Sequence, residues 1–241
     1  MQQASLNSSV PHGTPPPRSM TAQWLTSQNV RFWTLVSPAI LILATLAVFQ
    51  VTKSVTSEWV THLTGFAFYW SVGGIIIPMI LLGREGYASL FARAPVRWSF
   101  ALRLGVLGLF TPAAFGFLFV FPYLFPGESN LLIPGLALYA LLNGTFEEVF
   151  WRGLFVRHFR SNPWLGVVYP GVLFGLWQLV PWALFDWWLR PPPEIVLAVA
   201  IPVGLLFSWV AYRTGSIRWT VVAHVLANLA GVGALVIFAP G

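Results

Sequence analysis

Two adjacent carboxylates, Glu147 and Glu148, follow a long apolar run in the stretch NGTFEEVFWRG. On a helix, Glu148 and Arg152 stand on one face, in the order that favours an ion pair. Glu147 points about 100° away from that face, and one turn before it the chain has Asn143, which carries no charge. The spacing therefore predicts a structural pair of Glu148 and Arg152 and leaves Glu147 as a candidate general base. The plainer alternative is that these charges only mark a helix end at the membrane interface.

A second polar pair, His224 and Asn228, has helical spacing within the last apolar stretch, in the motif HVLAN. At a rise of about 1.5 Å per residue, His224 lies roughly 9 Å along its helix from Arg218, which predicts about that depth in the membrane. Glu147, five residues before Arg152, is expected at a similar depth from the same membrane surface. We therefore expect the two clusters to meet in one layer, although a lone histidine on an apolar helix is more often a hydrogen-bonded packing residue.

A third polar side chain, Gln178, ends the motif FGLWQ inside another apolar stretch. An amide in such a helix needs a hydrogen-bond partner, and contact between helices is its commonest use. Taken alone, the motif indicates helix packing more than chemistry.

The elements that carry these residues have the composition of a membrane protein. The chain of 241 residues is 57% hydrophobic and only 8% charged, whereas a soluble domain is about 25% charged. Its 13 tryptophans fit belts at the two membrane interfaces. The basic residues are scattered and do not form a patch, which argues against a nucleic-acid partner. The absence of cysteine excludes disulfides and thiolate metal sites.

The apolar runs predict an all-α, polytopic bundle of seven to eight transmembrane helices. We expect a flexible N-terminal tail over 1–30 and a single transmembrane domain over 31–241. The mixed segment 84–103 suggests an amphipathic helix at the interface, and an eighth crossing could lie there or around 180–190. The seven apolar stretches are 32–51, 65–82, 104–125, 131–150, 164–184, 195–212 and 219–238.

The distribution of basic residues predicts the orientation. Eleven of the 13 Lys and Arg residues, Arg152 among them, fall in segments that share a side with the N-terminus. Only Lys53 and Arg190 fall on the other side. This bias predicts a cytoplasmic N-terminus, and the short chain without a targeting sequence suggests the inner membrane of a bacterium.

Three motifs together resemble the CPBP family, the CAAX-prenyl-protease and bacteriocin-processing membrane proteins, also called Abi. The resemblance covers about 131–238 and rests on EEVFWRG (147–153), FGLWQ (174–178) and TGSIRWTVVAHVLAN (214–228). It implies an all-helical, typically eight-helix fold and an intramembrane glutamate-dependent endopeptidase. The substrate would be a membrane-associated or lipid-modified peptide or protein, met within the lipid bilayer.

The resemblance also implies roles for individual residues. Glu147 would activate a water molecule, while His224 and Asn228 would stabilise the oxyanion. Glu148 and Arg152 would support the site. Members of the family usually have histidine in the middle motif, where this chain has Gln178.

Glutamine can orient a water molecule but exchanges no proton near neutral pH. The sequence therefore leaves two interpretations of Gln178 open. One is an active protease; the other is a weak or inactive relative that binds or scaffolds a peptide or partner. A third, a proton-coupled transporter with Glu147 and His224 as its relay, ranks last. One histidine and the carboxylates among the motif residues are a poor zinc set, so we expect no metal and no other cofactor.

Overall fold

The structure, a computed structural model, describes residues 27–92, 96–124, 132–184 and 191–231. Every regular element in these ranges is helical. We label the helices Ser27–Val55 (α1), Glu58–Ser89 (α2), Phe100–Val120 (α3), Leu132–Glu148 (α4), Trp164–Leu184 (α5), Pro193–Thr214 (α6) and Arg218–Leu229 (α7). Five of them, α1, α2, α3, α5 and α6, are long and apolar enough to cross a membrane. The predicted all-α membrane bundle is thereby confirmed.

Several helices change their winding along their length. The segments Trp70–Ile76 in α2, Gly116–Val120 in α3 and Trp164–Val168 in α5 are π-helical. Helix α3 is interrupted after Gly108 and continues beyond its π-helical turn as Phe121–Leu124. Helix α4 runs on through a π-helical turn, Val149–Gly153, and a last α-helical turn, Leu154–His158.

The segment 84–103 is not one amphipathic helix, so this expectation was wrong. Gly83 has a φ of 68°, a left-handed conformation that breaks α2 and that glycine adopts without steric cost. The chain then winds on to Ser89, and α3 begins only at Phe100. Residues 93–95 lie outside the described part.

Some predicted boundaries shift. Helix α1 begins at Ser27, inside the predicted tail 1–30, whose first 26 residues lie outside the described part. The predicted α4 segment ended at 150, whereas the winding continues to His158. The predicted end of the last stretch, 232–238, and most of the region 180–190 also lie outside what the structure describes.

Two contacts show that the arginine-rich connections lie at one end of the bundle. Thr34 near the start of α1 lies 2.9 Å, Oγ1 to Nδ1, from His158 at the end of the α4 winding. A Cβ atom built on Gly215, at the end of α6, would lie 2.9 Å from a guanidinium nitrogen of Arg160. The start of α1, the end of the α4 winding and the end of α6 therefore lie together.

The ends of α2 and α5 complete this arrangement. The backbone N–H of Ile217 donates to the carbonyl of Leu90 at 3.1 Å, which brings the end of α2 to the turn before α7. In contrast, Nζ of Lys53 near the end of α1 donates to the carbonyl of Leu184 at the end of α5, at 2.7 Å. Successive helices thus run up and down as the apolar pattern predicts, while the cytoplasmic side of the N-terminus stays a prediction.

Glycines set the close approach of the helices that carry the polar motifs. A Cβ atom on Gly144 in α4 would lie 2.8 Å from the backbone nitrogen of Val225 in α7. A Cβ atom on Gly171 in α5 would lie 2.9 Å from the backbone of Leu205 in α6. Such contacts between backbones are possible only for glycine, as in helix pairs of other membrane proteins.

Candidate active site

A cavity of about 250 Å³ lies between α4, α5, α6 and α7. Four of the six predicted site residues line it: Glu147, Gln178, His224 and Asn228. Most of the remaining wall is apolar or aromatic and includes Phe66, Tyr139, Pro181, Val203 and Phe207. The structure therefore brings residues from three motifs, distant in sequence, to one space.

The predicted ion pair of Glu148 and Arg152 is present behind this cavity. Nη1 of Arg152 lies 2.9 Å from Oε1 of Glu148, and both side chains are 0% exposed. Arg152 does not stand in a connection between helices, because the helix continues for six residues beyond it to His158. Its assignment to a connecting segment was therefore wrong, whereas the cytoplasmic side of that segment stays a prediction. A charge so deep in an apolar bundle is tolerated only with its counter-ion.

The rings of two phenylalanines pack against the guanidinium of Arg152. Its central carbon lies 4.1 Å from the ring centroid of Phe174 and 5.4 Å from that of Phe207. The same rings stand edge-on to the imidazole of His224, at 6.0 and 5.9 Å between centroids. A cation over a desolvated aromatic face is stabilised by the ring quadrupole. Phe174 opens the FGLWQ motif, whereas no sequence pattern marked Phe207.

His224 lies between the two glutamates. Its Nδ1 is 2.8 Å from Oε1 of Glu148, and its Nε2 is 3.4 Å from Oε2 of Glu147. Because an ionised carboxylate only accepts hydrogen bonds, we assign a proton to Nδ1. Nε2 is therefore the atom that His224 presents to Glu147. Glu148 orients this histidine as well as neutralising Arg152, a contact that the helical spacing did not predict.

Glu147 is held by a tryptophan. Nε1 of Trp177 donates to its Oε1 at 2.9 Å, and both side chains are buried. The indole stacks on Tyr69 with 4.1 Å between ring centroids. Sequence reasoning missed both residues, although Trp177 stands in FGLWQ beside Gln178. Gln178 lines the cavity at the break in α5 after Trp177.

Asn228 lines the cavity and has a buried donor without a partner in the described part of the chain. The side chain is 5% exposed, and its Nδ2 has no hydrogen-bond partner among the described residues. Leaving such a group without a partner costs about 1–3 kcal/mol, so the unpartnered amide of Asn228 is an exception among buried polar groups. Asn143, which lines the same cavity, already accepts a hydrogen bond at Oδ1 from Nε1 of Trp70, at 2.9 Å.

No group of three or more His, Cys, Asp and Glu side chains that could hold a metal ion occurs in the described ranges. His158 lies at the arginine-rich end, beside Thr34, away from the cavity. The expectation of a site without metal or other cofactor stays a prediction.

Comparison with known proteins supports the family resemblance over part of the chain. Residues 128–230 match the family model described as "Type II CAAX prenyl endopeptidase Rce1-like". Neither the curated proteins nor the solved structures contain a significant match to the chain. The matched range contains all three motifs, and each contributes residues to the cavity wall. Residues 128–230 of this integral membrane protein therefore form an Rce1-like domain, which supports membership of the CPBP family.

Proposed function

We propose that the protein is an intramembrane endopeptidase in which Glu147 activates a water molecule. The substrate is a peptide or protein that is membrane-associated or lipid-modified, and the site needs no metal. One observation carries the proposal: Glu147, His224 and the unpartnered amide of Asn228 line a single cavity. A general base and two hydrogen-bond donors around one space are what hydrolysis of an amide bond requires.

In this mechanism, a water molecule in the cavity gives a proton to Oε2 of Glu147 while its oxygen attacks the carbonyl carbon. The resulting oxyanion accepts hydrogen bonds from Nδ2 of Asn228 and from Nε2 of His224. The carbon–nitrogen bond then breaks, and the proton on Glu147 passes to the departing amine. The products are an amine and a carboxylic acid, which keeps the second proton of the water, so the atoms balance.

The charges of the site support the donor role of His224. Its Nδ1 proton is engaged by Glu148, so a hydrogen bond from Nε2 requires the doubly protonated imidazolium. An imidazolium and Arg152 together balance the two carboxylates Glu147 and Glu148. A buried cluster without net charge is far less costly than one with an unpaired ion.

The apolar wall suits the proposed substrate. Phe66, Pro181 and Val203 can contact aliphatic parts of a peptide, and they limit the water that reaches Glu147. Together with the bilayer as solvent for the helices, this favours a substrate that enters from the membrane. We propose the inner membrane of a bacterium as the location, with the N-terminus in the cytoplasm.

The test is cleavage of a panel of membrane-anchored peptides by the purified chain in proteoliposomes, with products identified by mass spectrometry. Glu147→Gln keeps the shape but removes the base, and we expect a loss of at least about 10²-fold. Glu194→Gln is the matched control, because this exposed acid lies in the first turn of α6. Equal cleavage by the two variants would contradict the proposed mechanism.

A non-catalytic role is the second candidate, and Gln178 is the observation that favours it. Its amide lines the cavity where the family usually has a histidine, and it cannot exchange a proton near neutral pH. A protein of this kind would bind a membrane peptide in the cavity and release it intact. A photo-crosslinking peptide that labels the cavity in proteoliposomes without being cleaved would favour this role.

A further inference from the structure

Trp177 makes the one direct hydrogen bond from α5 to Glu147 among the described residues. Its Nε1 lies 2.9 Å from Oε1 of the carboxylate, and the indole is 1% exposed. We propose that Trp177 is a positioning residue of Glu147, fixing Oε1 so that Oε2 faces His224 and the water. This inference rests on the proposed function.

The indole is itself held rigidly. It stacks on Tyr69 at 13° between the ring planes, and the Tyr69 hydroxyl accepts a hydrogen bond from Nε1 of Trp151 at 2.7 Å. Trp151 in turn stands edge-on to Phe174, with 6.2 Å between centroids. All four rings belong to one buried aromatic cluster. Stacking and burial therefore disfavour another rotamer of Trp177, and its N–H stays directed at Glu147.

A fixed donor at Oε1 directs the chemistry to the other oxygen. An indole N–H can only donate, so Oε1 cannot carry a proton in the direction of that bond. The proton taken from water is therefore delivered to Oε2, which lies 3.4 Å from Nε2 of His224. The carboxylate thus holds one anchored oxygen and one working oxygen.

The path of α5 explains why the neighbour of Trp177 is not the anchor. Trp177 is the last residue of the helical segment Tyr169–Trp177, and Gln178 stands in the break before Leu179–Leu184. Consecutive residues at a helix end point about 100° apart. With Trp177 directed at Glu147, Gln178 faces a different part of the cavity wall.

The bond can be tested without activity by indole NMR of the full chain in nanodiscs. Trp177→Phe identifies the Trp177 signal among the 13 indoles. Glu147→Ala should move this signal to higher field and speed its exchange with deuterium by about tenfold, because the acceptor is lost. The signal of Trp182, whose Nε1 donates to the carbonyl of Pro191 at 2.9 Å, should stay in place. A Trp177 signal that does not respond to Glu147→Ala overturns the inference.

The catalytic consequence is tested by kinetics on the same peptides. Trp177→Phe keeps a ring for the stack and removes the N–H, and we expect kcat to fall by about 10- to 100-fold with KM within about twofold. Trp182→Phe, on the same helix with a bond of equal length, should keep kcat. The positioning role is overturned if Trp177→Phe and Trp182→Phe lose kcat equally and each loss follows the fall in the melting temperature of that variant. If the wild type cleaves nothing, the proposed function fails, and the NMR result alone decides the anchoring.

Discussion

Oε1 of Glu148 receives two hydrogen bonds at once, from Nη1 of Arg152 at 2.9 Å and from Nδ1 of His224 at 2.8 Å. This one oxygen joins the helix of the two glutamates to the helix of HVLAN. The imidazole and the guanidinium cannot shift independently of each other. Glu148 is therefore the centre of the buried polar cluster, although the mechanism assigns it no proton.

We predict that Glu148 and Arg152 are strongly coupled in stability. Glu148→Gln leaves a buried guanidinium without its counter-ion, and Arg152→Met leaves a buried carboxylate without its cation. Each substitution should therefore lower the free energy of unfolding by about 3–5 kcal/mol. The double variant removes both charges, and its loss should be at least about 1 kcal/mol smaller than the sum of the two single losses. The measurement is the free energy of unfolding, from titration with a denaturing detergent. Additive losses would show that the pair is not coupled.

We predict that Phe174 stabilises Arg152 through its ring face as well as by filling space. Phe174→Leu removes the aromatic face 4.1 Å from the guanidinium carbon, a contact worth about 2 kcal/mol when desolvated. Phe150→Leu is the matched control, because this buried ring packs edge-on to Trp151. The free energy of unfolding should fall further for Phe174→Leu. That excess should vanish in an Arg152→Met background, and its persistence there would argue against a cation–π contribution.

The sequence predicts what is local and periodic. Helix positions follow from apolar runs, and the pair of Glu148 and Arg152 follows from a spacing of four residues, because both signals lie within one helix. The placement of Arg152 in a connecting segment was wrong for a physical reason. A charge at the end of an apolar run normally marks the interface, but here its counter-ion and two phenylalanine rings allow it to stay inside.

The contacts between helices could not be predicted in the same way. Trp177 is one of 13 tryptophans and Phe207 one of 20 phenylalanines in a chain that uses aromatics throughout. Aromatic residues at helical spacing therefore do not distinguish a carboxylate anchor from ordinary packing. The link of Glu148 to His224 joins residues 76 positions apart, and only the fold brings them together.

We predict that Gln178→His raises cleavage. An imidazole at this cavity position adds a group that can exchange a proton near neutral pH, whereas the amide cannot. Because general acid–base groups contribute about 10²–10⁴-fold, we expect at least a tenfold increase in kcat/KM, measured on the peptide panel in proteoliposomes. Gln178→Asn, which keeps an amide, is the control and should give no increase. No gain with histidine would contradict this prediction and leave the non-catalytic role open.

We predict that the approach of α4 to α7 at Gly144 controls the geometry of the site. A methyl group there would lie 2.8 Å from the backbone nitrogen of Val225, the residue after His224. Backbone cannot yield as a side chain does, so Gly144→Ala should move the helices apart by a few tenths of an ångström and lengthen the contact between His224 and Glu147.

The expected result for Gly144→Ala is a loss of kcat larger than its loss of stability explains, since misplacement of catalytic groups by about 1 Å can cost 10²-fold. Gly135→Ala is the matched control, because it lies on the same helix with nothing within 4 Å of the added carbon. It should leave cleavage unchanged and raise stability slightly, by at most about 1 kcal/mol, since alanine favours helix over glycine. Cleavage and unfolding are measured for both variants in the same lipid. Wild-type kcat in Gly144→Ala would mean that the site tolerates a wider separation of the two helices than its hydrogen bonds suggest.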